Sequence, residues 1–381
     1  MRIVVLGAGL QGSASVYDLL RQEDVEGVTL ADLQPEQSPS FLAPDPRLTK
    51  VKTDFSDEGA VLDLLEGHDV ALSAAPYYFN AALARLALRA GCHYSDLGGN
   101  TPILREQLGR DAEARAAGLV FAPDMGLAPG LVNVLAAEAI RRFDTPRTVK
   151  LYVGGLPQHP RPPLNYQVVY SLEGTLDYYT TPSWVLRDGR TVQVEALSEL
   201  EELEFEGLGR LEAFHTAGGA SLMPWEFEGA VGRLEYKTLR YPGHATIMRA
   251  IRDLGLLSEE PVRVNGSEVI PRRVFISCVT PQLTRPEEPD LVVLRVAAEG
   301  DRDGTPTRLV WELVDREDPN TGISAMARTT GFSLAIMGLF LGRGVIAGPG
   351  VSPAYRSVPY AAYLEELERR GIVIQRTEEG R

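Results

Sequence analysis

The first twelve residues constrain the fold more than any other part of the sequence. An apolar run, Ile3–Leu6, leads directly into GAGLQG, in which Gly7, Gly9 and Gly12 have the spacing GxGxxG, and a helical pattern then runs to about Arg21. In this setting Gly7 permits a tight turn, Gly9 lets the backbone approach a pyrophosphate, and Gly12 allows close packing of helix and strand. The order strand, glycine turn, helix therefore predicts a dinucleotide-binding unit at the start of the chain.

The residues around this turn predict which dinucleotide binds. Leu10 and Gln11 begin the helix, whose first N–H groups are free to bind an anion. Asp32 follows the second predicted strand, twenty residues after Gly12, and a carboxylate there accepts hydrogen bonds from both adenosine ribose hydroxyls. It would repel a 2′-phosphate, and residues 33–37 contain no arginine, so NAD is favoured over NADP.

Strand and helix patterns alternate up to Gly130. Strands are predicted at Ile3–Leu6, Val28–Ala31, Leu48–Thr53, Val70–Ala74, His93–Asp96 and Leu119–Ala122, and a single helix at Thr101–Ala117. Six strands separated by helices imply right-handed crossovers and a parallel sheet covered on both faces. The predicted fold class is α/β, with a doubly wound Rossmann sheet followed by a second α/β domain with a mixed sheet.

Ligands bind such sheets at the carboxyl ends of the strands. Ser73, Ala74 and Pro76 end the fourth strand, and we expect them near the nicotinamide half of the cofactor. Asp54 ends the third strand, where it either reaches the adenine edge or caps the following helix, and Ser56 offers an equally good cap.

The second half of the chain is rich in strands and turns. Asp188-Gly189 predicts a hairpin between Trp184–Arg187 and Thr191–Val194, and Leu291–Ala297 pairs with Arg308–Val314 in a second hairpin. Glu195–Glu206 is interpreted as an acidic surface helix. The predicted domains are 1–129, the NAD-binding unit, with segment 323–381 packing back on it, and 130–322, which serves for substrate binding and dimerisation.

Composition limits the partners and the location. Acidic residues outnumber basic ones by 52 to 38, giving a net charge of −14, which disfavours nucleic acid and anionic membranes. The longest apolar run, Phe332–Leu341, is too short to span a bilayer. Cys92 and Cys278 are far apart and belong to no CxxC motif, as is typical of a reduced, cytoplasmic protein.

Six motifs carry a family resemblance. They are GAGLQG, SAAPYYFNAALARLALRAGCHYSDLGG, APDMGLAPGLVN, YVGGLP, TLRYPGH and ARTTGFSLAI, and together they resemble saccharopine dehydrogenase-like proteins. The resemblance implies a homodimer that oxidises an amine carbon of a small amino acid or amine with NAD. It is strongest to lysine 6-dehydrogenase, which implies conversion of L-lysine to 2-aminoadipate 6-semialdehyde and ammonia. A saccharopine reductase, a carboxynorspermidine dehydrogenase and a noncatalytic NAD-binding protein are the alternatives.

Amine oxidation needs a base near the nitrogen and an anchor for the substrate carboxylate. Asp96 and Asp124 follow strands five and six, where either holds the substrate ammonium, takes its proton, or serves only as a cap or turn residue. Arg240 resembles the family's carboxylate-binding arginine, whose planar fork suits bidentate contact, and the alternative is a surface ion pair.

Other candidates lie near Arg240 in sequence or by family analogy. His244 is either a general base or a hydrogen-bonding residue at a helix N-terminus. Tyr166 and Glu173 are expected to line the substrate site, with Glu173 meeting a distal ammonium; for Tyr166 the alternative is core packing. The remaining histidines have no partner at ligand spacing, so no catalytic metal is predicted; they are His68, His93, His159 and His215.

Overall fold

Strands and helices alternate along most of residues 1–380, the part of the chain that the computed structural model describes. The strands are β1 (Arg2–Leu6), β2 (Gly27–Asp32), β3 (Leu48–Lys52), β4 (Val70–Ser73), β5 (His93–Asp96), β6 (Val120–Ala122), β7 (Thr145–Pro157), β8 (Ser183–Arg187), β9 (Arg190–Val194), β10 (Glu201–Phe205), β11 (Gly209–His215), β12 (Arg233–Arg240), β13 (Val262–Val264), β14 (Ser267–Val269), β15 (Asp290–Arg302), β16 (Thr305–Arg316), β17 (Gly350–Val351) and β18 (Gln375–Gly380).

The helices connect these strands. They are α1 (Leu10–Leu19), α2 (Glu58–Leu65), α3 (Asn80–Ala90), α4 (Thr101–Leu108), α5 (Asp111–Ala116), α6 (Leu131–Arg141), α7 (Leu172–Thr180), α8 (Met223–Glu226), α9 (His244–Asp253), α10 (Pro271–Leu283), α11 (Ala325–Ala327), α12 (Ser333–Gly342), α13 (Ala354–Ser357) and α14 (Tyr360–Arg369), with short 3₁₀ turns at Pro35–Gln37 and Tyr77–Phe79 and a π turn at Arg328–Phe332. The single helix predicted at Thr101–Ala117 is two helices, α4 and α5, interrupted at Gly109-Arg110.

The chain divides into two compact units. The first contains Met1–Arg141 and Glu317–Gln375, and the second contains Arg142–Arg316 and the chain from Arg376 onward. The predicted boundaries at 129/130 and 322/323 are therefore displaced, because helix α6 is buried within the first unit. Segment 323–381 belongs to the first unit only as far as Gln375, since β18 joins the sheet of the second unit; residue 381 lies outside the described residues.

A parallel sheet forms the centre of the first unit and confirms the predicted fold class. Its strand order is β17-β6-β5-β4-β1-β2-β3, which is the doubly wound arrangement with one additional edge strand, β17. The sequence prediction missed β17 because two paired residues carry no periodic signal. Central strands such as β1 and β4 are fully buried apart from Arg2, as expected for a sheet covered on both faces.

An apolar helix closes one side of this sheet. Helix α12, with α11 and the π turn before it, packs on α1, β4 and β5, and no apolar residue of α12 is exposed. The continuous segment Ala325–Gly342 is longer than the predicted apolar run and has the length and mean hydropathy, 1.3, of a membrane-crossing helix. Because 89% of it is buried within the protein, it is equally well a core helix.

A mixed nine-stranded sheet forms the second unit, as predicted. The path runs β10-β11-β12-β7-β15-β16-β18, with β8 and β9 attached beside β12, and β7 and β12 are parallel neighbours. Both predicted hairpins, β8–β9 and β15–β16, are confirmed. The helix predicted at Glu195–Glu206 is wrong, because residues 201–205 form β10, whose alternating side chains pair with β11.

The substitution Gly331→Ala tests the close contact between α1 and the π turn. A Cβ at Gly331 would lie 2.5 Å from the Gln11 carbonyl oxygen and 2.8 Å from the Ala14 Cβ. Gly331→Ala should therefore lower the free energy of unfolding by about 1–3 kcal/mol, as overpacking does. Thermal and urea unfolding measure the change. Gly59→Ala is the matched control, because its Cβ would be in ordinary contact at 3.4 Å, and an equal loss there would contradict the interpretation.

Candidate cofactor and substrate sites

The glycine turn of the first unit is shaped by packing at two positions and open at the third. A Cβ at Gly12 would overlap the Gly7 carbonyl oxygen, and a Cβ at Gly7 (φ +109°) would lie 2.7 Å from the Ala74 carbonyl oxygen. A Cβ at Gly9 would meet no atom within 4 Å. Gly7 and Gly12 are thus required by the turn itself, whereas Gly9 borders free space of the kind that a pyrophosphate fills.

The beginning of α1 fits an anionic ligand. No side chain caps its N-terminus at Gly9, so the first N–H groups remain available. Leu10 is partly exposed at this end, and the Gln11 Nε2 atom is buried without a hydrogen-bond partner among the described residues. A buried amide without a partner is costly, and a bound nucleotide phosphate or hydroxyl would satisfy it.

Asp32 connects the glycine turn to the end of β2. Its Oδ2 accepts a hydrogen bond from the Ala8 N–H at 2.8 Å, and its Oδ1 accepts one from the Gln34 N–H at 3.0 Å. The side chain is half-buried. Each carboxylate oxygen can accept more than one hydrogen bond, so both retain capacity for ribose hydroxyls. The residues present fit a dinucleotide.

The other predicted cofactor residues divide into two groups. Ala74 lies directly behind the glycine turn, and Pro76 is exposed beyond β4. Ser73, in contrast, is fully buried and donates its hydroxyl hydrogen to Asn80 Oδ1 at 2.8 Å, so its side chain serves the core. The Ser73 hydroxyl is thus already engaged, and contact of this residue with the cofactor stays a prediction.

Asp54 is exposed after β3. Its carboxylate accepts hydrogen bonds from the Ser56 hydroxyl at 2.7 Å and the Ser56 N–H at 2.9 Å, and these bonds lower its pKa. Neither residue caps α2; Asp57 does, by accepting from the Ala60 N–H. The capping alternative for Asp54 is therefore excluded, and its contact with adenine stays a prediction.

Asp96 is a buried structural carboxylate. Its Oδ2 accepts from Gln107 Nε2 at 2.5 Å and its Oδ1 from the Asp124 N–H at 3.2 Å. Burial raises its pKa, and these donors oppose that effect. The predicted direct catalytic role of Asp96 does not fit, because the side chain is fully buried and both oxygens are engaged. Its geometry instead fixes the backbone that carries Asp124.

Asp124 lies in a narrow cleft beyond β5 and β6. The cleft is too narrow to admit a water molecule as the side chains stand, and Tyr77 and Asn100 are among its lining residues. Asp124 adopts a left-handed conformation (φ +64°), and its carboxylate occupies the place that a Cβ on Gly98 would take. Left-handed aspartates are uncommon and recur at functional sites. The structure thus keeps Asp124 as a candidate for contact with a substrate.

Arg240 is the central residue of the candidate site in the second unit. It ends β12, is 4% exposed, and its guanidinium lies 4.7 Å above the centre of the Tyr166 ring. Its Nε donates to the Tyr179 hydroxyl at 3.2 Å, and it forms no ion pair with any described residue. The predicted alternative, a surface ion pair, is therefore wrong.

The other buried cations of this unit do have acidic partners. Lys237 lies 2.9 Å from Glu201, and Arg272 lies 2.5 Å from Asp177. Burial of a charge without an opposite charge is costly. Arg240 is thus a buried cation that an anionic ligand would complement.

His244 is the first residue of α9 and is buried beside Arg240. Its Nδ1 is 3.0 Å from the Leu164 carbonyl oxygen, and its Nε2 is 2.9 Å from the Tyr179 hydroxyl. Burial, followed by the positive charge of Arg240, lowers its pKa to about 3. A neutral ring with both nitrogens engaged is poorly suited to proton abstraction, so the general-base alternative does not fit and the hydrogen-bonding alternative does.

Tyr166 and Glu173 have different surroundings. Tyr166 is buried, with its hydroxyl 3.3 Å from the Thr175 hydroxyl and its ring under Arg240. Its side chain therefore packs in the core and also lies beside the cation. Glu173 is exposed in the first turn of α7, and the described contacts join only its carbonyl oxygen to Arg272. Contact of Glu173 with a substrate ammonium stays a prediction.

Glu212 is a buried residue that the sequence analysis missed. Its carboxylate accepts hydrogen bonds from the Gly243 N–H at 2.9 Å and the Ala245 N–H at 2.5 Å. It thereby fixes the N-terminus of α9 and the position of His244. An acidic residue in the alternating strand LEAFH is a weak signal, and its partners are more than thirty residues away.

His215 does have acidic neighbours, contrary to the sequence prediction. Its Nε2 lies 3.3 Å from Glu199 and 3.8 Å from Glu235, and the three groups have a spacing that a metal ion accepts. Arg187 and Arg233 also bind Glu235, at 2.6 and 3.0 Å. These cations already neutralise the carboxylates, so the cluster is an ion-pair network.

Curated relatives are similar over most of the chain. The mitochondrial alpha-aminoadipic semialdehyde synthase of Rattus norvegicus is 24% identical over 443 residues, covering 98% of this chain and 47% of that protein. The saccharopine dehydrogenase [NADP(+), L-glutamate-forming] of Saccharomyces cerevisiae is 22% identical, with 98% of each chain covered. The chain thus spans about half the length of the rat relative.

Solved structures share the fold. The apo saccharopine dehydrogenase (L-Glu forming) from Saccharomyces cerevisiae has a TM-score of 0.79 at 20% identity, with 99% of both chains covered. The homospermidine synthase from Legionella pneumophila, solved in complex with NAD, has a TM-score of 0.72 at 11% identity, with 99% of this chain and 91% of that chain covered. At these identities the likeness concerns the fold alone.

Two family models match consecutive parts of the sequence. The saccharopine dehydrogenase NADP binding domain matches residues 3–121, and the saccharopine dehydrogenase C-terminal domain matches residues 126–372. The glycine turn lies in the first match and Arg240 in the second. The chain therefore belongs to the saccharopine dehydrogenase family.

Proposed function

We propose that the protein is an NAD-dependent amino-acid dehydrogenase that oxidises the 6-amino carbon of L-lysine. The observation that carries the proposal is the buried cation Arg240, which has no acidic partner among the described residues and suits a substrate carboxylate. The products are 2-aminoadipate 6-semialdehyde and ammonia. Family membership supports the reaction class, the choice of lysine follows the resemblance to lysine 6-dehydrogenase, and the choice of nucleotide rests on the residues.

The reaction balances with water as the only additional reactant. The lysine ammonium, NAD⁺ and water give the aldehyde, NH₄⁺, NADH and one proton. The cofactor, when bound, accepts the hydride from the carbon that bears nitrogen. The ammonium must first lose a proton to a general base, because only the neutral amine can release the hydride. Arg240 holds the substrate carboxylate.

NAD is proposed over NADP because of Asp32. A 2′-phosphate near this carboxylate would be repelled, and residues 33–37 supply no cation but include Glu36. Two lysines lie on the neighbouring strand β3: Lys50 is 3.8 Å from Glu36, and Lys52 is the register partner of Asp32. The family model and the yeast relative are named for NADP, so the nucleotide is a point on which this chain is proposed to differ.

A saccharopine dehydrogenase is the second candidate, favoured by the names of the relatives. In that reaction the oxidised nitrogen joins two amino-acid skeletons, and the substrate carries three carboxylates. The two candidates differ in their substrates: the first uses lysine alone, and the second needs saccharopine or, in reverse, glutamate with the semialdehyde.

Substrate turnover distinguishes the two candidates. We expect NADH formation from L-lysine and NAD⁺ at alkaline pH, where more of the amine is unprotonated, without any keto acid. Absorbance at the NADH band measures it, with saccharopine, glutamate plus semialdehyde, and polyamines assayed in parallel. Turnover of saccharopine with none of lysine would contradict the first candidate and favour the second.

Asp32→Ala tests the nucleotide site. Loss of the charged acceptor should weaken NAD binding by about 10–100-fold, the usual effect of one to two charge-assisted hydrogen bonds, and NADP should lose much less. Calorimetric or fluorescence titration of both nucleotides measures the ratio. Asp63→Ala, which removes an exposed acid of α2, should leave both affinities unchanged. An unchanged NAD affinity in Asp32→Ala would refute the assignment.

Arg240→Ala tests the carboxylate anchor. The KM for lysine should rise about 100-fold, because a charged partner of the carboxylate is lost, while the KM for NAD changes little. Steady-state kinetics measure both constants, and Arg210→Ala, at an exposed arginine of the same unit, is the control. Equal effects on the two KM values would argue against a carboxylate contact.

A further inference from the structure

A buried chain of hydrogen bonds runs from Arg240 to a main-chain carbonyl. Arg240 Nε is 3.2 Å from the Tyr179 hydroxyl oxygen, and that oxygen is 2.9 Å from His244 Nε2. The chain continues from His244 Nδ1 to the Leu164 carbonyl oxygen at 3.0 Å. The three side chains are 1–4% exposed, so water does not compete for these bonds.

Each hydrogen bond in this chain has only one possible direction. A carbonyl oxygen only accepts, so His244 Nδ1 carries the proton of the neutral ring, and Nε2 is then an acceptor. The Tyr179 hydroxyl must therefore donate to His244. Its oxygen is left to accept from Arg240 Nε, which as part of a guanidinium only donates.

The two Nη nitrogens of Arg240 differ in their hydrogen bonds. Nη1 donates to the Leu239 carbonyl at 2.9 Å and lies 3.5 Å from the Gly155 carbonyl. The Nη2 atom has no hydrogen-bond partner among the described residues. A planar guanidinium fixed at Nε and Nη1 has only one orientation, so the two N–H groups of Nη2 are the donors left for a ligand. This differs from the two-nitrogen fork that the sequence suggested.

We infer that Tyr179 is a positioning residue whose hydroxyl fixes the guanidinium of Arg240 in the orientation that receives the substrate carboxylate. His244 takes part by accepting the tyrosine proton, which keeps the hydroxyl oxygen turned toward Arg240. The kinetic consequence rests on the proposed function, whereas the hydrogen-bond chain itself does not.

Packing alone does not account for the hydroxyl group. The Tyr179 ring contacts the rings of Phe214 and His244 edge-on, at centroid distances of 5.9 and 5.7 Å, and phenylalanine would keep both contacts. Only the hydroxyl links Arg240 to His244. Its removal leaves Nε and Nε2 unsatisfied while the core volume is nearly conserved.

Tyr179→Phe is the kinetic test. The KM for lysine should rise about tenfold, since one charge-assisted contact that orients Arg240 is lost, while kcat and the KM for NAD change less than about twofold. The matched control is Tyr152→Phe. It makes the same change at an equally buried tyrosine of the same unit, whose hydroxyl lies 3.1 Å from Glu201, and it should leave all three constants unchanged.

The tautomer of His244 is the second, activity-independent test. Long-range ¹H–¹⁵N NMR of the full chain, assigned by comparison with His244→Gln, should show a neutral ring protonated at Nδ1. In Tyr179→Phe the Nε2 resonance should shift, and in Tyr152→Phe it should not.

The outcomes separate this inference from the proposed function. A wild-type ring protonated at Nε2, or a lysine KM that is the same in Tyr179→Phe and Tyr152→Phe, would overturn the inference. If the wild-type protein oxidises no amine, the proposed function fails and the NMR result alone decides: an Nδ1 proton with an Nε2 shift in Tyr179→Phe supports the chain, and any other pattern rejects it.

Discussion

The candidate site of the second unit depends on a buried positive charge, that of Arg240, which has no ion-pair partner among the described residues. Arg240 is held by a phenol, main-chain carbonyls and the face of a tyrosine ring, all of which are dipoles or quadrupoles and none of which is an anion. Such groups orient a guanidinium but compensate its desolvation only in part. A carboxylate arriving at Nη2 would supply the missing charge. The site is thus preorganised, because the cost of ordering the cation is met by folding.

In the first unit, the parallel sheet brings the candidate cofactor and substrate residues to one edge. All seven strands run in one direction, so their carboxyl ends bring the glycine turn, Asp32 and Asp124 to the same edge. Behind that edge the core contains a polar network, in which Asp96 and Ser73 are fully satisfied by neighbours. The buried carboxylate of Asp96 rigidifies the backbone that carries Asp124. Proximity to a strand end therefore does not by itself make an acid catalytic.

The sequence analysis succeeded where the signal is local. The glycine spacing, the individual strands and the DG hairpin are each set within about thirty residues, whereas Tyr179 lies 61 residues from Arg240 and 65 from His244. No periodicity connects such pairs, so Tyr179 and Glu212 were missed. Glu195–Glu206 was interpreted as a helix because leucines recur at helical spacing, but pairing with β11 overrode that preference. Motif resemblance identified Arg240 as a candidate, and only the structure showed that it is buried without an ion pair among the described residues.

The number of unpaired buried cations bears on the substrate. Each carboxylate transferred from water needs a charged or polar partner, and a substrate with three carboxylates needs several. Among the described residues of the second unit, Lys237 and Arg272 are neutralised by Glu201 and Asp177, which leaves Arg240. One anchor matches one carboxylate, as lysine has. A saccharopine site would have to bind two further carboxylates with polar groups or with more exposed cations, whose contacts are weakened by solvent. The charge distribution thus favours the smaller amino acid.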